Sequence, residues 1–427
     1  MRILHLAAGA GSFYCGACAR DMVMARGLIK RGHDFQILPL YTPLRIEGEE
    51  PSPIGDVYLG GINAWLQQHS GLFRRLPAGL DRVFDHPALL RWASRFAIRT
   101  KPSQLGPMTV SVLAGRDGRQ RKEVERLLDF LRSQEPPDLI SITNSLLSGL
   151  APALKQAHPV PVVCGLQGEE SFVAGLPPRH RQQAQDLMRA NAAHVDLFLA
   201  PGEAYADAMA TFLDVPRARI AVVRPGLELA QYARPGPRPT APFTIGYLSV
   251  IIPRKGLDLL VAAWLKLVEE GHDGIRLKVA GQVLDPRYLQ GVQRTIARAG
   301  LTDRCEFFGE VELAQKIEFL HGCSVFAVPS RFAESRGIAV MEAMAAGVPV
   351  VAPNSGVYPE LFRLVGGGVL HEPEDVGSLT AALRQVVTEA GEADAAAVRA
   401  VEGLQAHCGP EVTAAQLEEL FHDLLGR

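Results

Sequence analysis

Short apolar runs recur along the chain, each bounded by turn-forming residues and followed by a longer stretch with helical spacing of apolar positions. A short continuous apolar run reads as a strand buried on both faces, and its alternation with helical patterns argues for parallel sheets covered by helices. In the first half the predicted strands are Ile3–Leu6, Phe35–Leu40, Leu139–Ile142, Val162–Leu166 and Leu197–Ala200, with a helix near Ala17–Lys30 after the first. A second series holds Thr244–Leu248, Arg276–Ala280, Glu306–Phe308, Val325–Val328, Pro349–Ala352 and Gly368–His371, again with helices between. Each half thus predicts its own doubly wound α/β sheet.

Between the two series, Ala233–Pro242 carries Pro235, Gly236, Pro237, Pro239 and Pro242, the composition of a linker. The expected division is residues 1–235, residues 236–410, and a last helix within 411–427. That helix, about Thr413–Leu425, has Leu417, Leu420, Phe421 and Leu424 at helical spacing. Gly61–Lys101 breaks the rhythm: seven basic residues stand against Asp81 and Asp85, interleaved with Trp65, Phe73, Phe84, Trp92 and Phe96. Such a stretch predicts either a helical cap on the first domain or a basic, aromatic surface for a membrane or an anionic acceptor.

At 427 residues the chain exceeds one typical core, and 47% hydrophobic with 21% charged residues describes a globular protein. A net charge of −2 gives no general attraction to nucleic acid or anionic lipid. The six cysteines lie mostly among small or apolar neighbours, which points to free thiols in a reducing compartment. No uninterrupted apolar stretch of about eighteen residues occurs, so no transmembrane helix is expected. The start, Met1–Ala8, reads as a first buried strand because its apolar part is short and contains His5. The expected location is the cytoplasm, with peripheral contact at the inner membrane face through 61–101 if that stretch is a membrane surface.

The segment Pro329–Val351 carries the most chemistry. After the run ending at Val328, Gly337 opens a short helix, and the free N–H groups of Gly337, Ile338 and Ala339 with the helix dipole favour a diphosphate. Gly337 permits close approach of a ligand. Glu342 follows just over one turn along, where a carboxylate can accept hydrogen bonds from vicinal ribose hydroxyls. Glu334 lies in the loop before the helix, at the carboxyl ends of the strands, where open α/β sheets bind ligands. The alternative is an ordinary strand-loop-helix unit with two solvated glutamates.

With Glu334 and Glu342 separated by seven residues and followed by Ala343-Met344-Ala345-Ala346-Gly347-Val348-Pro349-Val350-Val351, the sequence resembles the retaining glycosyltransferases of family 4, or group 1. The resemblance implies the GT-B fold of two Rossmann-like domains facing a cleft, with the last helix crossing back to the first. It implies a nucleotide-sugar donor, a UDP-sugar before a GDP-sugar, retained anomeric configuration, no bound metal and no cofactor. By that analogy Glu342 holds the ribose, the amides after Gly337 hold the diphosphate, and Glu334 contacts the donor sugar. The acceptor, a small molecule, a glycan or a lipid-linked acceptor, falls to the first domain; no nucleic acid is expected.

Other loops carry further candidates. The first, Ala8–Ala17, fails the dinucleotide fingerprint at Tyr14 and the P-loop at Ala17 and Cys18. The resemblance puts Gly16 against donor phosphates and acceptor. Cys15 and Cys18 form a C-x-x-C without further ligands nearby, so packing is expected over metal or redox use. After Thr244–Leu248 comes Pro253-Arg254-Lys255-Gly256, whose lysine can neutralise a leaving diphosphate. The family arginine about six residues earlier is Ser249 here, and Arg254 is the expected substitute. Gln167 stands where many members have histidine; it can bond a sugar hydroxyl but transfers no proton. Gly281 and Gly309 fall where members frame base and ribose, though both also suit ordinary loops. The expectation is a hexosyl transferase. A nucleotide-sugar epimerase of the same fold and a non-catalytic sugar-nucleotide-binding protein stand as alternatives.

Overall fold

The computed structural model describes residues 1–8, 16–41, 102–236, 238 and 241–427, with backbone only at 16–19 and 102–104. The expectations for Gly61–Lys101 and for the loop before Gly16, with Cys15 and the Cys18 side chain, fall outside the described residues.

Two compact units emerge: residues 1–224 with 413–427, and residues 225–412. In the first, six parallel strands run β1 Arg2–Ala7, β2 Asp34–Pro39, β3 Leu139–Ile142, β4 Val162–Gly165, β5 Leu197–Ala200 and β6 Ile220–Val222. They lie in the order β2-β1-β3-β4-β5-β6. In the second, β7 Thr244–Leu248, β8 Arg276–Ala280, β9 Cys305–Gly309, β10 Val325–Ala327, β11 Val350–Pro353 and β12 Val369–His371 lie in the order β12-β11-β10-β7-β8-β9. The helices between strands follow from the rule that parallel neighbours need a crossover. In each sheet the chain builds outward one way from the first strand and then returns to build the other way. The reversal falls between β1 and β3 in the first unit and between β7 and β10 in the second.

The predicted strands are present, with β6 added. The unit boundary differs from the expected one: the change comes at Arg224–Pro225, ahead of the Pro-rich segment. Leu227 and Tyr232 are buried in the second unit's core. Arg234 donates to the His321 carbonyl at 2.6 Å, and Arg238 to the Ser324 carbonyl and Asp394. Proline composition marked stiffness there, but these side chains anchor the segment to the second unit.

The closing helix, Pro410–Leu425, buries Leu417 and Phe421 against Ile3, Met24, Leu28 and Phe35 of the first unit. Arg31 adds an ion pair to Glu418, and His33 Nε2 is within hydrogen-bond distance of the same carboxylate at 2.8 Å. Phe421 is fully buried. Phe421→Ala should therefore destabilise the first unit by about 3–5 kcal/mol; chemical denaturation of the full chain checks it, and a loss under about 1 kcal/mol would deny the helix a structural role.

Candidate functional site

The reversal of strand order in the second unit leaves the loops after β7 and β10 side by side at the carboxyl edge of the sheet. Crevices of this kind are where open α/β sheets bind ligands. The first loop contains Pro253-Arg254-Lys255-Gly256. Gly256 adopts φ 72°, and a Cβ there would lie 2.0 Å from the Pro329 carbonyl oxygen. Only glycine both takes this conformation cheaply and lets the two loops touch.

Two further links lock the loops. The Arg331 backbone N–H donates to the Arg254 carbonyl at 2.9 Å. The Arg331 guanidinium grips both oxygens of Asp258 at 2.8 and 2.7 Å. Tyr288 also donates to Asp258 at 2.5 Å. Burial pulls Asp258 upward, but Arg331 and Tyr288 outweigh it and hold the carboxyl below its usual range.

On that frame Lys255 Nζ pairs with Glu334 Oε1, which also accepts from Ser330 Oγ at 2.8 Å. Glu334's backbone is fixed in turn: its carbonyl accepts from Val357 N at 2.8 Å, and Gly356, at φ 61°, leaves the room a side chain would fill. Lys255, Glu334, Ser249, Gly337, Ile338 and Ala339 line one recess. Leu248, Arg336 and Tyr358 complete parts of its wall. Gly337 caps the helix Ile338–Ala345 at φ 65°, so the first-turn amides open toward the recess without intrahelical partners. A cation and a helix start thus share one concave space, which suits an anion with several oxygens.

Other predicted residues are placed differently. Arg254 is not in the recess wall; its guanidinium lies 4.3 Å from the centre of the Phe332 ring, with Lys255 Nζ at 4.9 Å from the same ring. Gly281, at φ 137°, backs directly on the Ser249 carbonyl and donates its N–H to Gly309 O at 2.6 Å. It joins the ends of β7, β8 and β9 just beside the recess. Gln167 and Gly16 belong to the first unit. Gly16 begins the helix Gly16–Lys30, and Gln167 follows β4 with its amide nitrogen donating to the Thr143 carbonyl at 2.6 Å.

Glu342 differs most from expectation. It is 3% exposed, and its Oε1 accepts from both Lys316 Nζ and Tyr232 OH at 2.8 Å. Lys316 is 5% exposed. Oε2 makes no hydrogen bond with any described residue, so both of these contacts hold the carboxylate through Oε1. Lys316, Tyr232 and Arg331 were absent from the sequence reading. A lysine on the buried face of Leu313–His321 was the available signal, since lysine is almost never fully buried unless paired. Among the described residues no group of three or more His, Cys, Asp or Glu side chains is arranged to hold a metal, and no helix is long and apolar enough to cross a membrane.

Comparison with known proteins follows the same division. The family described as glycosyl transferases group 1 matches residues 231–401, and the glycosyl transferase 4-like domain matches residues 19–226. A glycogen synthase of Mycobacterium tuberculosis is 27% identical over 262 residues, 59% of this chain and 61% of the synthase. A GDP-mannose-dependent α-(1-6)-phosphatidylinositol monomannoside mannosyltransferase of the same species is 30% identical over 200 residues, 45% of this chain and 50% of that enzyme. Among solved structures, Anabaena HepE with UDP and glucose superposes with a TM-score of 0.65 at 15% identity, covering 99% of this chain and all of HepE. Sucrose-phosphate synthase from Thermosynechococcus elongatus gives 0.70 at 17% identity over the full length of both. At such identities the likeness is one of fold.

Breaking the buried Lys316–Glu342 pair from one side strands a charge. Lys316→Met should cost roughly 3–5 kcal/mol, whereas Lys316→Met with Glu342→Gln should recover at least half of that loss. Denaturant unfolding of the three proteins decides; equal losses in single and double variants would show that the charge pair is not what matters.

Proposed function

The chain belongs to the group 1 glycosyl transferases of GT-B fold, and from that premise we propose that it transfers a hexose from a nucleotide-sugar to an acceptor hydroxyl with retained configuration. The carrying observation is the recess of the second unit, where Lys255 and the first-turn amides after Gly337 meet at the switch in strand order. Diphosphate departure is the step that needs charge stabilisation. A lysine and a helix start fixed in advance supply it without reorganisation.

In this reading Lys255 exchanges part of its contact with Glu334 for the leaving phosphate. Glu334, released on one oxygen, faces the donor sugar hydroxyls. Glu342 offers Oε2 to the ribose, held in orientation by Lys316 and Tyr232 on Oε1. Arg254 contributes through the loop that carries Lys255 rather than by direct contact, and the position of its guanidinium over the Phe332 ring fits that role. Ser249, Gly281 and Gly309 form the adjoining strand-end wall for base and ribose. Gln167 and Gly16 serve the acceptor side on the first unit. Neither Gln167 nor Glu334 need remove a proton if the departing phosphate takes the acceptor hydroxyl proton, as a front-face retaining reaction requires.

UDP-sugars are the donors proposed first and GDP-sugars second. One relative is named as a GDP-mannose-dependent mannosyltransferase, so GDP-sugars belong in the test beside UDP-sugars. No resident metal is proposed, because Lys255 and the helix amides already meet the diphosphate charge. The free thiols at Cys164, Cys305, Cys323 and Cys408 support a cytoplasmic location.

Thermal shift with UDP-, GDP- and ADP-sugars, with and without chelator, tests the donor site. One nucleotide class should stabilise the protein, indifferent to chelator. With that donor, Lys255→Ala should lower kcat/KM at least tenfold and Glu334→Gln should lower kcat more than it raises KM. Wild-type kinetics in both variants would remove these residues from the reaction, and donor binding without transfer would favour a binding protein.

A further inference from the structure

The first unit has its own switch in strand order, between β1 and β3, and a second arginine-centred cluster stands there. Arg20 lies one turn into the helix Gly16–Lys30, which follows β1, and Thr143 follows β3 directly. Arg20 Nε and Nη2 donate to Asp21 Oδ1 at 3.1 and 2.7 Å, and Nη2 donates again to the Thr143 carbonyl at 3.0 Å. Asp21 is 1% exposed, and its second oxygen accepts from Thr143 Oγ1 at 2.6 Å and lies 3.1 Å from His5 Nε2. Burial would raise this carboxyl, but Arg20, then His5 and Thr143, hold it well below its usual range.

The guanidinium is therefore clamped along one edge. Its Nη1 makes no hydrogen bond with any described residue, and the Arg20 side chain keeps 18% of its exposure. The clamp also depends on Gly165, the last residue of β4: a Cβ there would lie 2.9 Å from Nη2 and 3.0 Å from Nη1. Gln167 shares the same Thr143 carbonyl, which puts Arg20 and Gln167 side by side. Nothing in packing alone calls for a pre-oriented arginine with a spare pair of donors at a strand-order switch. A planar guanidinium next to a helix start suits an oxyanion with several oxygens far better than a neutral hydroxyl.

We propose that Arg20 recognises a phosphate group on the acceptor, with Asp21 and Thr143 as its positioning residues. This rests on the reading of the first unit as the acceptor side, and it deepens that reading by naming the acceptor as a phosphate ester. Gln167, bonded inward through its amide nitrogen, then meets the acceptor beside the phosphate.

The test uses the full chain and calorimetry with glycerol 3-phosphate, glucose 6-phosphate and myo-inositol 1-phosphate, each against its unphosphorylated parent, and with phosphatidylinositol vesicles against phosphatidylcholine ones. At least one phosphate ester, soluble or in the vesicle, should bind wild type ten times more tightly than its neutral counterpart. Preference for the soluble ester or for the vesicle tells a free phosphate from a lipid headgroup. Arg20→Gln should abolish that preference, Arg20→Lys should keep part of it, and UDP or GDP binding should stay within twofold in both. Wild type with no preference for phosphate over the neutral parent overturns the proposal without any variant, as does an Arg20→Gln protein that keeps the preference. Loss of nucleotide binding in wild type would instead overturn the glycosyltransferase reading, so the two failures are distinguishable.

Discussion

Everything proposed for this protein depends on one topological constraint: in each sheet the strand order reverses once, and the loops on either side of the reversal are driven together. In the second unit β7 and β10 are hydrogen-bonded neighbours although some eighty residues separate them. Their following loops carry Lys255 and Glu334. The sheet alone would leave these loops adjacent but loose; contact between Gly256 and Pro329, and the Arg331–Asp258 fork, make them rigid. A salt bridge on a rigid frame keeps its charges where an incoming ligand can exchange with them, and preorganisation of that kind is what electrostatic catalysis requires.

The two units answer the same constraint with the same device. In each, a basic side chain near the start of a helix is held on one side by a carboxylate: Lys255 by Glu334 in the second, Arg20 by Asp21 in the first. The difference lies in the carboxylate. Glu334 is bonded by Lys255 and Ser330 and is itself part of the recess wall, so it can change partners. Asp21 is buried and fully engaged by Arg20, Thr143 and His5, so it can only hold. An exchanging pair fits a reacting diphosphate, and a fixed pair fits recognition.

How much was legible beforehand follows from how local each signal is. The strands could be read because parallel strands buried on both faces are continuous apolar runs; β6, three residues at the sheet edge, offers too little of that pattern. Glu334, Gly337 and the helix after it lie within one short segment, so sequence spacing located them. Lys316, Tyr232 and Arg331 could not be found that way, since their partners are 26, 110 and 73 residues distant. The unit boundary was misplaced for a related reason. Pro235 to Pro242 reports backbone stiffness, while the structural division is set by the contacts of Leu227, Tyr232, Arg234 and Arg238. Glu342 showed its position in the sequence but not its surroundings, where Lys316 and Tyr232 both hold one of its oxygens.

A crystal structure of the protein with a bound nucleoside diphosphate tests the central claim most directly. The account predicts the β-phosphate within hydrogen-bond distance of Lys255 Nζ and of the Ile338 and Ala339 amides, with the ribose at Glu342 Oε2. A nucleotide bound elsewhere, with the Lys255–Glu334 pair unchanged, would contradict it.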